Sequence, residues 1–129
     1  MGEADPVVRI AEADRRTGAA TAGMSREEAV DTGTMWAGLV RTHARMLSDW
    51  HHHGAYESVV YVLGGRLRME SGPDGANVVE AVPGDFLLVP RGAIHREGNP
   101  DDLEGTVVVV RSGSGPSVVN VEGPARGRT

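Results

Sequence analysis

The 129-residue chain has no cysteine. Disulfide staples and thiolate catalysis are therefore excluded, and no sulfur ligand is on offer to a metal. Aromatic residues are scarce as well: one Phe, two Trp and two Tyr. No run of five Lys or Arg occurs, Arg126 and Arg128 make only a short basic tail, and the formal net charge of −5 is spread along the chain. That pattern reads as a solvated surface and argues against a nucleic-acid partner. No apolar run approaches the roughly 20 residues of a membrane-spanning helix. Residues 1–10, which include Glu3, Asp5 and Pro6, contain no apolar stretch of signal-peptide length. The expectation is a cytoplasmic protein without a membrane partner.

Also missing is any long segment of helical period. What the chain has instead is 18 valines, 18 glycines and seven prolines. Valine is stiff at its branched β-carbon and packs well on a pleated surface, while glycine and proline supply turns. Strands are expected at 35–42, 44–53, 58–63, 66–71, 77–82, 85–89, 94–97, 106–111 and 117–121. The turns between them include Gly64-Gly65, Pro83-Gly84, Pro90-Arg91-Gly92 and Asn99-Pro100. Short strands at such spacing predict an all-β sandwich or small barrel. The domain is placed at 35–121, with a partly irregular extension at 1–34 and a flexible tail at 122–129. Within the extension, Ser25 and Glu28 suggest a capping box for a helical turn, although a strand opening at Met24 fits equally well. Strict alternation in Arg66-Leu67-Arg68-Met69 turns Leu67 and Met69 inward. Four consecutive valines, Val107–Val110, suggest a strand covered on both faces, either centrally in the sheet or against a second subunit.

The chemistry concentrates in two short segments. In an extended segment His51 and His53 share one face and His52 takes the other. Their side chains are then close enough to converge on one ion. Gly54 permits the turn that returns Glu57 toward the same point, which turns the odd positions Val59, Tyr61 and Leu63 inward. His95 follows the Pro90–Gly92 turn, and Glu97 shares its parity. Four of the five histidines fall in these two segments, with a carboxylate beside them, and a metal site is the expected consequence.

The residues His51-x-His53-x3-Glu57-x6-Gly64 resemble the first motif of the cupin family. Gly84-x5-Pro90-x-Gly92-x2-His95-x3-Asn99 resembles the second in every defined position. The one departure is Arg45, which stands where the first motif opens with glycine. The resemblance implies a double-stranded β-helix, the cupin jelly-roll barrel, and a dimer. It also implies one divalent metal held by His51, His53, Glu57 and His95: Fe, Zn, Mn, Ni or Cu, with Fe or Zn favoured.

Four protein ligands leave positions open on such a metal, and a single carboxylate leaves positive charge that suits an anionic or chelating small molecule. The leading expectation is an oxygen-dependent, dioxygenase-like oxidoreductase with Glu57, Tyr61 and Glu97 as catalytic candidates. One alternative is a non-redox zinc cupin of natural-product biosynthesis, acting as isomerase, lyase or in hydrazine-forming N–N bond chemistry. The other is a non-catalytic binding or sensor module. Arg26 and Arg41 are candidates to meet an anion, whereas Trp36 and Trp50 are assigned to the core and Asn99 to a turn.

Overall fold

The computed structural model describes residues 5–19, 21–115 and 118–127. Among them the only helical segment is one 3-10 turn, Glu12–Asp14. The strands are β1 (Arg16–Thr17), β2 (Met24–Asp31), β3 (Met35–Thr42), β4 (His51–His52), β5 (Glu57–Gly64), β6 (Leu67–Ser71), β7 (Asn77–Ala81), β8 (Phe86–Val89), β9 (His95–Gly98), β10 (Gly105–Ser112) and β11 (Val119–Asn120). They form two sheets, ordered β1-β2-β3-β10-β5-β8 and β11-β4-β9-β6-β7, and every pairing between strands is antiparallel.

The valine run lies on β10, which pairs β3 on one side and β5 on the other. It is thus the central strand of the larger sheet. Val107 and Val109 enter the core, while Val108 is half-buried and Val110 exposed on the outer face. Opposite them Val60 pairs Val109 and Val62 pairs Val107. Residues directly opposite on a ladder share a face. Val60 and Val62 are therefore buried with their partners, and Leu67, Met69, Met24, Val40 and Val89 close the interior between the sheets. As alternation predicts, Leu67 and Met69 face in, and Arg66 and Arg68 stay at the surface in ion pairs with Glu80.

Four expectations are corrected or decided between alternatives. The Ser25–Glu28 capping box does not form, because β2 is an eight-residue strand hydrogen-bonded along β3. The expected strand at 44–53 shrinks to β4, since residues 43–46 form a turn closed by the Met46 N–H donating to the His43 carbonyl (3.3 Å). Arg45 occupies that turn at φ +61°, in the left-handed region that glycine enters at lowest cost. The third is the inward face of β5, described with the site. The last expected strand is reduced to Val119–Asn120; Ser117, where it was to begin, lies outside the described residues, as does Arg128 of the basic tail.

Asn99 is a turn residue, as its sequence context suggests. Its buried Nδ2 donates to the carbonyls of Thr42 (3.2 Å) and Leu103 (2.8 Å), and its Oδ1 accepts the Asp101 N–H (3.0 Å). Three satisfied bonds pin the end of β9 to the end of β3.

Candidate metal centre

Strands β4 and β9 set the site. His51 and His95 are directly opposite in register. His53 follows two residues after His51, so all three imidazoles reach one point inside the barrel. Ring centroids are 4.4 Å apart for His51–His95, 5.0 Å for His51–His53 and 5.1 Å for His53–His95. All three side chains are buried. His52 turns away, as parity requires, and its Nδ1 accepts the Gly54 N–H (3.0 Å).

The carboxylate of the cluster is Glu97. Ligand atoms of His51, His53, His95 and Glu97 lie within 4.8 Å of one another. Glu97 Oε1 sits 3.3 Å from Nε2 of His51 and 3.3 Å from Nε2 of His95. Ser48 holds this strand in place: its hydroxyl accepts the Glu97 N–H (2.9 Å), and its own N–H donates to the Glu97 carbonyl (2.8 Å).

Glu57 was expected there, and the structure does not bring it to the cluster. It lies half-buried at the start of β5 opposite Ser112, whereas its neighbour Ser58 lies opposite Arg111 and is buried at 3% exposure. A shift of one residue exchanges the two faces of a strand. Val60 and Val62 fill the core, so Ser58 faces in and Glu57, Val59, Tyr61 and Leu63 do not. Tyr61 instead packs on Phe86 at the outer face, with centroids 4.7 Å apart, and reaches no part of the cluster. The signal for this frame is the Gly64-Gly65 pair. Gly65 is the constrained glycine, at φ +75° with any Cβ only 2.9 Å from Gly105 Cα, whereas a Cβ on Gly64 would meet open space. Counting the motif's six-residue interval back from Gly65 reaches Ser58, not Glu57.

The donor set fits a metal. Nδ1 of His51 donates to the Asp49 carbonyl and Nδ1 of His95 to the Ala93 carbonyl, both at 2.8 Å. A carbonyl only accepts, so each neutral ring keeps its proton on Nδ1 and presents the Nε2 lone pair inward. Nε2 of His95 is buried without a hydrogen-bond partner. In that tautomer two imidazole lone pairs face a carboxylate oxygen, an arrangement that a proton or a metal cation satisfies. Donors at 2.0–2.1 Å around a tetrahedral ion are separated by roughly 3.3 Å, the spacing found between Glu97 and both rings.

The electrostatics agree. Burial opposes a charge on His51, but its contact with Glu97, the negative charge there and the Asp49 carbonyl outweigh it and raise the imidazole above its ordinary value. Burial likewise disfavours the Glu97 carboxylate, yet the imidazoles of His51 and His95 hold it well below the usual range.

One cavity adjoins the cluster, and a second shares two arginines with it. A chamber of about 20 Å³ inside the barrel is walled by Val40, Val60, Val107 and Val109 and touched by His53, His95 and Glu97. A larger cavity of about 570 Å³ opens beyond it, with Trp36 and Tyr56 on its walls, and Arg26 and Arg111 line both. Trp36 packs against the core, as expected, and also lines the larger cavity. Arg41 points elsewhere, paired with Glu27 and Glu104. Trp50 lies under the Arg96 guanidinium, 4.7 Å from its centroid.

No curated protein matches the chain. Among solved structures, the polyketide cyclase RemF from Streptomyces resistomycificus superposes with a TM-score of 0.71 or better, namely 0.75, at 21% identity over 91% of this chain and 87% of its own. KdgF from Halomonas sp. gives 0.71 at 17% identity, covering 85% and 96%. An oxalate oxidase gives 0.64 at 21% identity over 77% of this chain and 55% of its own. At these identities the likeness establishes the fold. No helix among the described residues is long and apolar enough to cross a membrane. The sequence profile of the cupin domain matches residues 39–111, more than half the chain, and with the barrel and its histidine cluster in view, this protein belongs to the cupin family.

Proposed function

We propose that the protein is a metal-dependent enzyme acting on a small organic molecule, with dioxygen as co-substrate. His51, His53, His95 and Glu97 would hold one divalent ion, and the two carbonyl-locked imidazoles keep its ligand geometry fixed. When bound, such an ion supplies Lewis acidity and, if it is iron, a redox centre. The observation that carries the oxygen-dependent reading is the pairing of cavities. The 20 Å³ chamber has room for about one molecule the size of water or dioxygen. The 570 Å³ cavity is of the size that takes a small organic ligand.

A non-redox zinc enzyme is the second reading, favoured by the 3.3 Å spacing of Glu97 Oε1 from Nε2 of His51 and of His95. Metal analysis of untagged protein, followed by oxygen uptake with a panel of small organic acids and phenols, separates the two. Iron with substrate-dependent oxygen consumption supports the first reading; zinc without oxygen consumption sinks it.

A homodimer belongs to the same proposal. Val59, Tyr61, Leu63, Phe86, Leu88 and Val110 meet in register on the outer face of β5, β8 and β10, with Phe86 69% and Leu88 64% exposed. Burying such an apolar face in a self-complementary contact would stabilise a dimer. Sedimentation equilibrium tests this, and a monomer at tens of micromolar would contradict it.

A further inference from the structure

Among the described residues, two cations sit inside the barrel with no carboxylate in contact. Arg26 and Arg111 are each 6% exposed. Arg26 Nη1 donates to the Ala19 carbonyl (3.2 Å) and the Thr21 hydroxyl, both neutral. Arg111 lies over the Trp36 ring at 4.9 Å, and its buried Nε has no hydrogen-bond partner. Burial pushes both guanidiniums below their ordinary value, and Arg26 adds to the effect on Arg111. Glu97 is the acidic group whose charge favours both, but among the described residues it forms no ion pair with either.

Buried charge without a counter-charge is costly, and a buried guanidinium with a free N–H is costlier. Both residues line the 570 Å³ cavity, so whatever fills it meets them. Trp36 is held by its Nε1–H donating to Glu28 (2.8 Å), which fixes the surface on which Arg111 rests. The remaining wall includes Met35, Val118 and Tyr56, and Glu28 and Asp31 also line the cavity.

We propose that Arg26 and Arg111 form the carboxylate subsite of this cavity, and that the ligand is an organic acid whose apolar or ring-bearing body lies along Trp36. A planar guanidinium fork pairs with a carboxylate through two parallel hydrogen bonds, and the unpartnered Nε–H of Arg111 is suited to one of them. The subsite deepens the reading above by naming its substrate class. It places the acid group on the arginines and the rest of the molecule along Trp36 in the larger cavity. Phosphate shares the chemistry of the anion but not the need for apolar walls.

The test is calorimetric titration of the untagged full chain with 2-naphthoate, its neutral isostere 2-naphthamide and inorganic phosphate, with metal content measured on the same samples. The expected result is saturable binding of 2-naphthoate, weakened on the order of 100-fold in Arg111→Met with metal content unchanged. Arg26→Met, on a different strand, should weaken it similarly, and Arg111→Lys should fall between; thermal melting confirms that each variant is folded. Equal binding of acid and amide, equal binding of phosphate, undiminished binding in both Met variants, or no binding of 2-naphthoate would each overturn the subsite. Loss of the metal-centre reading looks different: metal is then absent from the wild type, whatever the naphthoate titration gives.

Discussion

At the scale of single residues, two positions carry most of the unexpected physics. Arg45 adopts φ +61°, a conformation that costs a residue with a Cβ about 1–2 kcal/mol. Its ion pair with Asp102 (2.6 Å) is between exposed groups and is worth little. Arg45→Gly removes the strain at a smaller cost in unfolded-chain entropy. It should leave stability unchanged or raise it by up to about 1 kcal/mol in urea denaturation. A loss above about 1 kcal/mol would show that the side chain stabilises more than the strain costs. Glu97 is the second such residue. Its inward parity with His95 was legible in the sequence, and so were the three histidines, because alternation along a strand decides them without reference to tertiary structure. The exchange of Glu57 for Glu97 was not legible. It depends on which of two adjacent glycines takes the left-handed turn, and that is set by the approach of Gly105 from a strand forty residues away in the chain, roughly.

At the scale of elements, β5 decides that Glu57 stays outside the site. The stretch Ser58–Leu63 has apolar residues of both parities, so its own sequence cannot fix which face is buried. Pairing with β10 fixes it, through Val60 against Val109 and Val62 against Val107. Val60, at 4% exposure, should therefore cost about 2 kcal/mol when changed to Ala, and Val59, at 39%, less than about 1 kcal/mol. Chemical denaturation of the two variants measures this, and the reverse order would return Glu57 to the interior. The same dependence on partners explains the 44–53 segment. Its composition suits a strand, but the Arg45 turn and an isolated bridge from Leu47 to Gly98 leave only His51–His52 in the ladder. By contrast β6, β7 and β10 were legible from alternation, valine content and turn chemistry, since Gly or Pro stands close to their ends.

At the scale of the whole molecule, the cluster couples metal to stability. Without an ion, two Nε2 atoms and a carboxylate oxygen are held together by β4 and β9 with a proton as the only available partner. Metal that binds the folded state alone stabilises it by mass action. Saturating metal should raise Tm by on the order of 10 °C over the chelator-treated protein, and acid should abolish the gain as the histidines protonate. An unchanged Tm would mean that the barrel is indifferent to its site. The most direct measurement is metal stoichiometry in untagged wild type, Glu97→Gln and Glu57→Gln, each dialysed against the same buffer. One ion per chain is expected in the wild type and in Glu57→Gln, with stoichiometric metal lost in Glu97→Gln. Retention by Glu97→Gln together with loss in Glu57→Gln would contradict the assignment of the centre to His51, His53, His95 and Glu97.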